Sequence, residues 1–294
     1  MIQSKANPGQ PRAFVVTGAS SGIGEATARR LAREPGCSIV LVGRREERLR
    51  ALAASLDDRS LGNGRVESGQ RVSWVAVDLV DEQAPARIRE HVLERHGRLD
   101  LLVNNAGAAW RARFADGGYE NVRRTMEINF DAQLRLTEAL LPLLRDSAPS
   151  AIVNVSSTAG RVARAGSGAY SASKFAIAGW SDSLWAEERP HGVHVGLVLP
   201  GFISTEGFPQ SELTAKPWTR WAVSTPERAA EAIYQAGLGR RAERYVPRPW
   251  GFAAALRVLA PGLVRRVLGG SAAAVMTTTT GADMAERRKG PSPE

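Results

Sequence analysis

The sequence predicts a doubly wound parallel β-sheet with helices on both faces, a three-layer α/β/α fold. Strand-length apolar runs alternate with segments of helical period six times along the 294 residues, the order produced by a parallel sheet with right-handed crossover helices. The apolar runs are continuous rather than alternating, as strands covered on both faces require. A turn rich in glycine and serine links the first strand to the first helix, at the edge where open parallel sheets bind ligands.

The first strand is Ala13–Thr17, and Gly18 to Gly24 form the loop after it. Ile23, Thr27, Ala28 and Leu31 share one stripe, so a helix runs from Ile23 until Pro35-Gly36 stops it. Ser38–Val42 is the second strand and Arg45–Leu56 the second helix. Val72–Val77 and Asp81–His96 repeat the pair. A strand at Leu99–Val103 leads into a long helix at Gly118–Leu144. The fifth strand, Ala151–Val155, is followed by a helix at Ala169–Glu188 and a sixth strand at Val193–Leu199. Pro226 opens another helix as a first-turn proline after Thr225, and Arg244–Pro247 suits a short last strand. No repeat and no linker divides residues 1–249, which read as one domain with an irregular loop at 201–225. A basic amphipathic helical extension follows at 250–270. The tail 271–294, with its small residues, threonines, charges and prolines, has the composition of disorder.

Composition removes several classes of function. An apolar fraction of 43% and a charged fraction of 23% are those of a globular protein. Cys37 is the single cysteine, so no intrachain disulfide forms, and a reducing, cytoplasmic setting fits. Met1 to Arg12 is polar and lacks the apolar stretch of a secretory signal, and no apolar run reaches the length of a spanning helix. The net charge of +9 invites a nucleic-acid partner, but ten basic against four acidic residues from Gly237 onward carry six of those nine charges. The body is nearly balanced, so no nucleic-acid partner is expected. His91, His96, His191 and His194 have no companions at zinc-ligand spacing, and no metal site is expected.

The loop Thr17-Gly-Ala-Ser-Ser-Gly-Ile-Gly24 has the spacing G-x-x-x-G-x-G. Its glycines permit a tight turn and close approach of backbone to a phosphate, and the next helix offers free N–H groups and a positive dipole end. By itself such a loop is equally an ordinary strand-to-helix turn. The second strand adds to it. It ends Val42-Gly43-Arg44-Arg45, with no acid to bond an adenosine ribose and two arginines suited to a 2′-phosphate, which favours NADP(H) over NAD(H).

Tyr170 and Lys174 stand at i and i+4, on one face of a helix. An ammonium near a phenol favours phenolate and draws its pKa down from about 10, towards general acid/base work. Ser157 lies at the C-terminal end of the fifth strand, on the ligand-binding edge.

Taken together, these residues resemble the short-chain dehydrogenase/reductases, in the branch with one Rossmann-type catalytic domain of about 250 residues. The resemblance runs from Phe14 to about Pro247. It rests on Thr17 to Gly24, Asp78 after the third strand, Asn104-Asn-Ala-Gly107 after the fourth, Asn129 in the long helix, Ser157, Tyr170-x-x-x-Lys174, and Pro200-Gly201 with Thr205 beyond. It implies that Tyr170 is the general acid in carbonyl reduction and the base in alcohol oxidation. Lys174 would tune Tyr170 and hold the nicotinamide ribose, Ser157 would bond the substrate oxygen, and Asn129 would support a water in proton exchange through Lys174. It further implies a cofactor site of Gly18, Ser20, Ser21, Gly22, Ile23, Gly24, Arg44, Arg45, Asp78, Leu79, Asn105, Ala106, Gly107, Pro200, Gly201, Ile203 and Thr205. Asn104 reads instead as a structural tie between strands. Relatives commonly form homodimers or homotetramers through two long helices.

Phe202, Phe208, Trp218 and Trp221, in the segment that closes over substrate in this family, and Trp110 beyond Gly107 suit a bulky apolar substrate and equally suit packing of that segment on the body, while Glu206, Glu212, Lys216 and Arg220 leave a polar handle open. In the extension, Phe252, Leu256, Leu259, Leu263 and Val267 share a helical stripe divided by Pro261. Packing on the body or on a sister subunit is expected in preference to peripheral membrane contact through 250–268. Two alternatives stand beside carbonyl chemistry. Enoyl (C=C) reductases of this family space Tyr and Lys more widely, and catalytically silent nucleotide sensors lack one of the two.

Overall fold

A computed structural model describes residues 11–57, 71–205 and 222–269. Its centre is a seven-stranded, all-parallel sheet in the order β3-β2-β1-β4-β5-β6-β9. The strands are β1 (Arg12–Thr17), β2 (Cys37–Gly43), β3 (Val72–Ala76), β4 (Leu101–Asn104), β5 (Ser150–Val155), β6 (Val193–Pro200) and β9 (Glu243–Val246). The order reverses between β1 and β4, which opens a crevice at their C-terminal ends. A two-stranded parallel ribbon, β7 (Phe202–Ile203) with β8 (Val223–Ser224), gathers the base of the irregular loop.

Both faces of the sheet are covered, which explains the unbroken apolar strands. Phe14 and Val16 point into a core shared with α1 (Gly22–Leu31), α2 (Glu46–Asp57) and α7 (Pro226–Gly237). Val15 faces the other way, onto α3 (Ala84–His96), α5 (Ala132–Asp146) and α6 (Gly168–Glu188). Thr225 caps α7 by accepting from the Arg228 amide at 3.4 Å, with Pro226 in the first turn. The last strand pairs with β6 and completes the sheet.

Two helices depart from their sequence boundaries. The third begins at Ala84 rather than Asp81, because the Asp81 carboxylate accepts from the Gln83 amide at 2.9 Å and holds 78–83 as a turn. The long helix is not one piece. It starts earlier, as α4 (Phe114–Met126), bends at Gly118 with φ 54°, and passes through a π-helical turn at Glu127–Asp131 before α5. Such turns insert one residue and redirect side chains, often at functional sites.

Asn104 is the expected structural tie. Its amide donates to Asn154 on β5 and to Thr137 on α5, both at 2.9 Å, and Asn154 donates in turn to Ser181 on α6 at 2.9 Å. The chain of bonds joins two strands to two helices with every member buried. Asn104→Ala leaves Thr137 and Asn154 short of a donor, and thermal unfolding should show a loss of about 1–3 kcal/mol.

The extension forms α8 (Trp250–Leu259) and α9 (Pro261–Gly269), divided at Ala260–Pro261. Only Ala254 and Val264 turn inward to burial. Among the described residues α8 rests on the body through Trp250, which donates to the Ala222 carbonyl at 3.3 Å and meets Phe202, while the apolar stripe itself faces outward. The tail 271–294 lies outside the described residues.

Candidate active site

The crevice at the switch point is a cleft of about 680 Å³. Every described candidate residue lines it except Gly24 and Asn129, which stand just behind its wall. Phe208, Trp218 and Trp221 lie outside the described residues.

The first wall is the glycine loop. Gly18 has φ 67°, a conformation that favours glycine. A β-carbon at Gly24 would fall 2.1 Å from the Gly18 carbonyl oxygen and 2.7 Å from the Asn105 amide nitrogen. The loop therefore closes against the 104–107 segment with no room for a side chain. Thr17, not a candidate from sequence beyond its place in the motif, fastens the two together. Its hydroxyl donates to the Val103 carbonyl at 3.1 Å and accepts from the Asn105 and Ala106 amides at 2.9 and 3.0 Å. The result is a rigid cradle at the N-terminus of α1, shaped for a pyrophosphate.

Arg44 and Arg45 follow β2 and are exposed at one end of the cleft. Arg44 stands 3.6 Å from Asp78, and Arg45 donates to the Ser20 hydroxyl and carbonyl at 3.1 Å. The donor set fits a dinucleotide: a glycine cradle at a helix start, with two guanidiniums further along the same cleft.

Ser157, Tyr170 and Lys174 meet at the other end. The Ser157 hydroxyl donates to the Pro200 carbonyl at 3.2 Å and accepts from the Ala159 amide at 3.1 Å, and it lies beside the Tyr170 phenol, whose pKa it pulls down. Lys174 is buried; its ammonium donates to the Val155 carbonyl at 2.9 Å and lies 5.8 Å from the centre of the Tyr170 ring. Burial draws the Lys174 pKa down to about 8. Burial also raises the Tyr170 phenol above its ordinary range, against the opposing pull of Ser157, Arg111 and Arg164. The expected depression by Lys174 is therefore not what governs the phenol. Enclosure outweighs the cations, and the ammonium is held by a strand carbonyl.

Asn129 is delivered by the π-helical turn. Its side chain accepts from the Ala108 amide at 2.8 Å and donates to the Ala108 carbonyl and the Ser173 hydroxyl at 2.9 and 3.0 Å. A β-carbon on Gly107 would lie 2.7 Å from the Asn129 side-chain oxygen and 3.6 Å from the Lys174 ammonium, so this position leaves no room for a side chain.

Sequence reasoning missed the basic lining of this end. Arg111, Arg124 and Arg164 all face the cleft. Arg124 lies over the Trp110 ring at 4.8 Å, and Arg164 over the Phe202 ring at 4.7 Å. Both described aromatic candidates thus carry a guanidinium on one face. No motif announces these arginines, since 111 and 164 are distant in the chain and meet only through the fold. Among the described residues no cluster of metal-ligating side chains occurs.

The fold and its cleft define a Rossmann-type α/β protein with a dinucleotide-sized groove. Comparison of sequences narrows the class: the description "short chain dehydrogenase" matches residues 12–215. The chain belongs to the short-chain dehydrogenase/reductase family of oxidoreductases. It is 32% identical over 271 residues to "Dehydrogenase/reductase SDR family member 7B" of Bos taurus, covering 88% of this chain and 80% of that protein. The Danio rerio protein of the same name is 33% identical over 196 residues, 67% of this chain and 62% of its own. "Uncharacterized oxidoreductase YxnA" of Bacillus subtilis is 32% identical over 261 residues, 87% and 70%. The chain spans about three-fifths of the length of the Danio rerio and Xenopus laevis relatives it matches.

Proposed function

We propose that this chain is an NADP(H)-dependent oxidoreductase that interconverts a carbonyl and a secondary alcohol on a substrate with a bulky apolar body. One observation carries the reading: Ser157, Tyr170 and Lys174 line the same cleft as the glycine cradle. The bound nicotinamide would supply or accept the hydride. Gly18 to Gly24 and the start of α1 hold the pyrophosphate, Arg44 and Arg45 the 2′-phosphate, and Asp78 with Leu79 the adenine edge. Asn105 to Gly107 flank the cofactor, and Pro200, Gly201, Ile203 and Thr205 cover the nicotinamide.

The phenol of Tyr170, kept protonated by burial, donates its proton to the carbonyl oxygen in reduction and recovers it as a base in oxidation. The Ser157 hydroxyl bonds the same oxygen as charge develops on it. Lys174 holds the nicotinamide ribose and keeps positive charge beneath the phenol, with Asn129 fixing the wall between them. Family membership supports a homodimer or homotetramer, and the cysteine usage a reducing, cytoplasmic setting.

The test is a parallel screen of apolar ketones and secondary alcohols with NADPH, NADP+, NADH and NAD+. Turnover with none of them sinks the reading. Arg44→Asp should lower the NADPH-to-NADH ratio of kcat/KM by roughly tenfold or more, the worth of a charge-assisted bond to the phosphate. An unchanged ratio removes Arg44 from cofactor selection.

A further inference from the structure

We propose that Arg111 and Arg164 form an anion-binding subsite beside Tyr170, so that the carbonyl substrate carries a carboxylate or phosphate close to its reacting group. This rests on the reading of Tyr170 as the proton donor and names the substrate class of that site.

Both guanidiniums line the cleft with the Tyr170 phenol. Arg164 lies over the Phe202 ring at 4.7 Å, in the segment that begins at Pro200, and that ring helps to position it. Arg111 follows Trp110 and lines the same cleft. Burial lowers the pKa of each, and Arg111 lowers that of Arg164 further. Two guanidiniums beside one phenol make that end of the cleft favourable to an anionic group on the ligand. Groups perturbed in this way inside a cleft mark functional sites.

This subsite is distinct from the cofactor's own phosphate positions. Arg44 follows β2, whereas Ser157 and Tyr170 gather at the end of β5. β1 and β4 lie between, so the two basic ends stand about 14 Å apart at the usual strand spacing. The pyrophosphate cradle belongs to β1, two strands from β5. The anion held by Arg111 and Arg164 therefore belongs to the other ligand, and both arginines lie near enough to Tyr170 to act electrostatically on its phenol.

The test compares 4-decanone, 4-oxodecanoate and the phosphate monoester of 1-hydroxydecan-4-one as substrates of the full chain with NADPH. The expected kcat/KM is at least about tenfold higher for one or both anions than for the neutral ketone, the value of a charge-assisted contact. Which anion wins separates carboxylate from phosphate. Arg164→Gln and Arg111→Gln should each shrink that ratio. The ratio cancels any effect of the arginines on Tyr170 itself, which all three ketones share. A ratio near one in the wild type, or one untouched by both substitutions, overturns the subsite. If no ketone is reduced, the carbonyl reading fails, and binding decides the subsite. With NADPH present, decanoate or decyl phosphate must then raise the melting temperature more than decanol does, and lose that advantage in Arg164→Gln. Equal shifts overturn it.

A separate observation concerns the extension, where the geometry points to docking of α8 and α9 on an anionic lipid surface. Phe252, Leu256, Leu259, Leu263 and Val267 are 80%, 44%, 83%, 50% and 59% exposed, along the faces of two consecutive helices. The two helices carry Arg257, Arg265 and Arg266 and no acid. A basic surface with an apolar stripe complements an anionic bilayer. A two-fold contact with a second copy would instead set like charges against one another. Neither helix is long and apolar enough to cross a membrane. The first of them starts at the cleft: Trp250 meets Phe202 edge-on at 6.0 Å.

Co-sedimentation with vesicles of phosphatidylcholine alone, and with about a third phosphatidylglycerol, tests this. The wild type should pellet with the anionic vesicles only, and less so at high salt. Phe252→Ser with Leu259→Ser, both on exposed positions, should stay in solution at unchanged melting temperature. Arg265→Glu with Arg266→Glu should weaken binding. No binding by the wild type overturns the proposal. So does equal binding by the serine variant, or a serine variant that turns an oligomer into monomer in a wild type that ignores vesicles.

Discussion

Tyr170→Phe should lower kcat for carbonyl reduction by about 10²–10⁴-fold, the usual contribution of a positioned general acid. NADPH affinity should change little, because the ring stays and only the hydroxyl is lost. The pH profile of the wild type supplies a second readout. Burial raises the Tyr170 phenol, so the acid form persists through neutral pH. Lys174 titrates at about 8, below its usual 10.5, so reduction should be level at neutral pH and decline above about pH 8 as the ammonium is lost. The same shift has a stability consequence. Between about 8 and 10.5 the folded chain binds fewer protons at Lys174 than the unfolded chain does, so this lysine adds stability as pH rises through that window. Lys174→Met should flatten that rise in denaturation midpoints while abolishing most turnover. A phenylalanine variant that reduces its substrate near the wild-type rate removes Tyr170 from the chemistry.

Gly24→Ala should be the most damaging alanine substitution among the described glycines. The added carbon would stand 2.1 Å from the Gly18 carbonyl oxygen, and the neighbour is backbone, which cannot swing away as a side chain does. The loop must separate from the 104–107 segment, which Thr17 otherwise clamps. Misplacing a positioning element by an ångström costs on the order of a hundredfold in rate, so kcat/KM with NADPH should fall by about that much, and calorimetric titration should show weaker NADPH binding. Gly179→Ala is the control. Open space surrounds that glycine in the middle of α6, and alanine there should add roughly 0.5–1 kcal/mol of helix stability. If both variants bind cofactor like the wild type, the cradle does not hold the pyrophosphate.

Much of this fold is legible locally. The strands declare themselves because burial on both faces permits nothing but apolar side chains. The glycine loop, the i, i+4 pair of Tyr170 and Lys174, and Pro226 after Thr225 are short-range patterns with short-range causes. Less legible is whatever depends on an insertion or a distant contact. A π-helical turn has the composition of an ordinary helix, so the break at Glu127–Asp131 that brings Asn129 behind Gly107 leaves no mark in the sequence. The outward face of the extension is also hidden, since an amphipathic stripe states that a face is apolar and not what it meets.

The sequence by itself determined the parallel sheet, the order of its crossover helices, the cradle and the residues at the strand ends, because each follows from local periodicity or from a motif of fixed spacing. The tertiary structure alone decided the electrostatics. It enclosed Tyr170 and Lys174 so that burial, not their mutual attraction, moves the phenol. It turned the Lys174 ammonium to the Val155 carbonyl. It also brought Arg111 and Arg164, fifty-three positions apart in the chain, to the same end of one cleft. Charge and dielectric are summed over everything nearby in space, and a linear chain does not record which of its parts will be near.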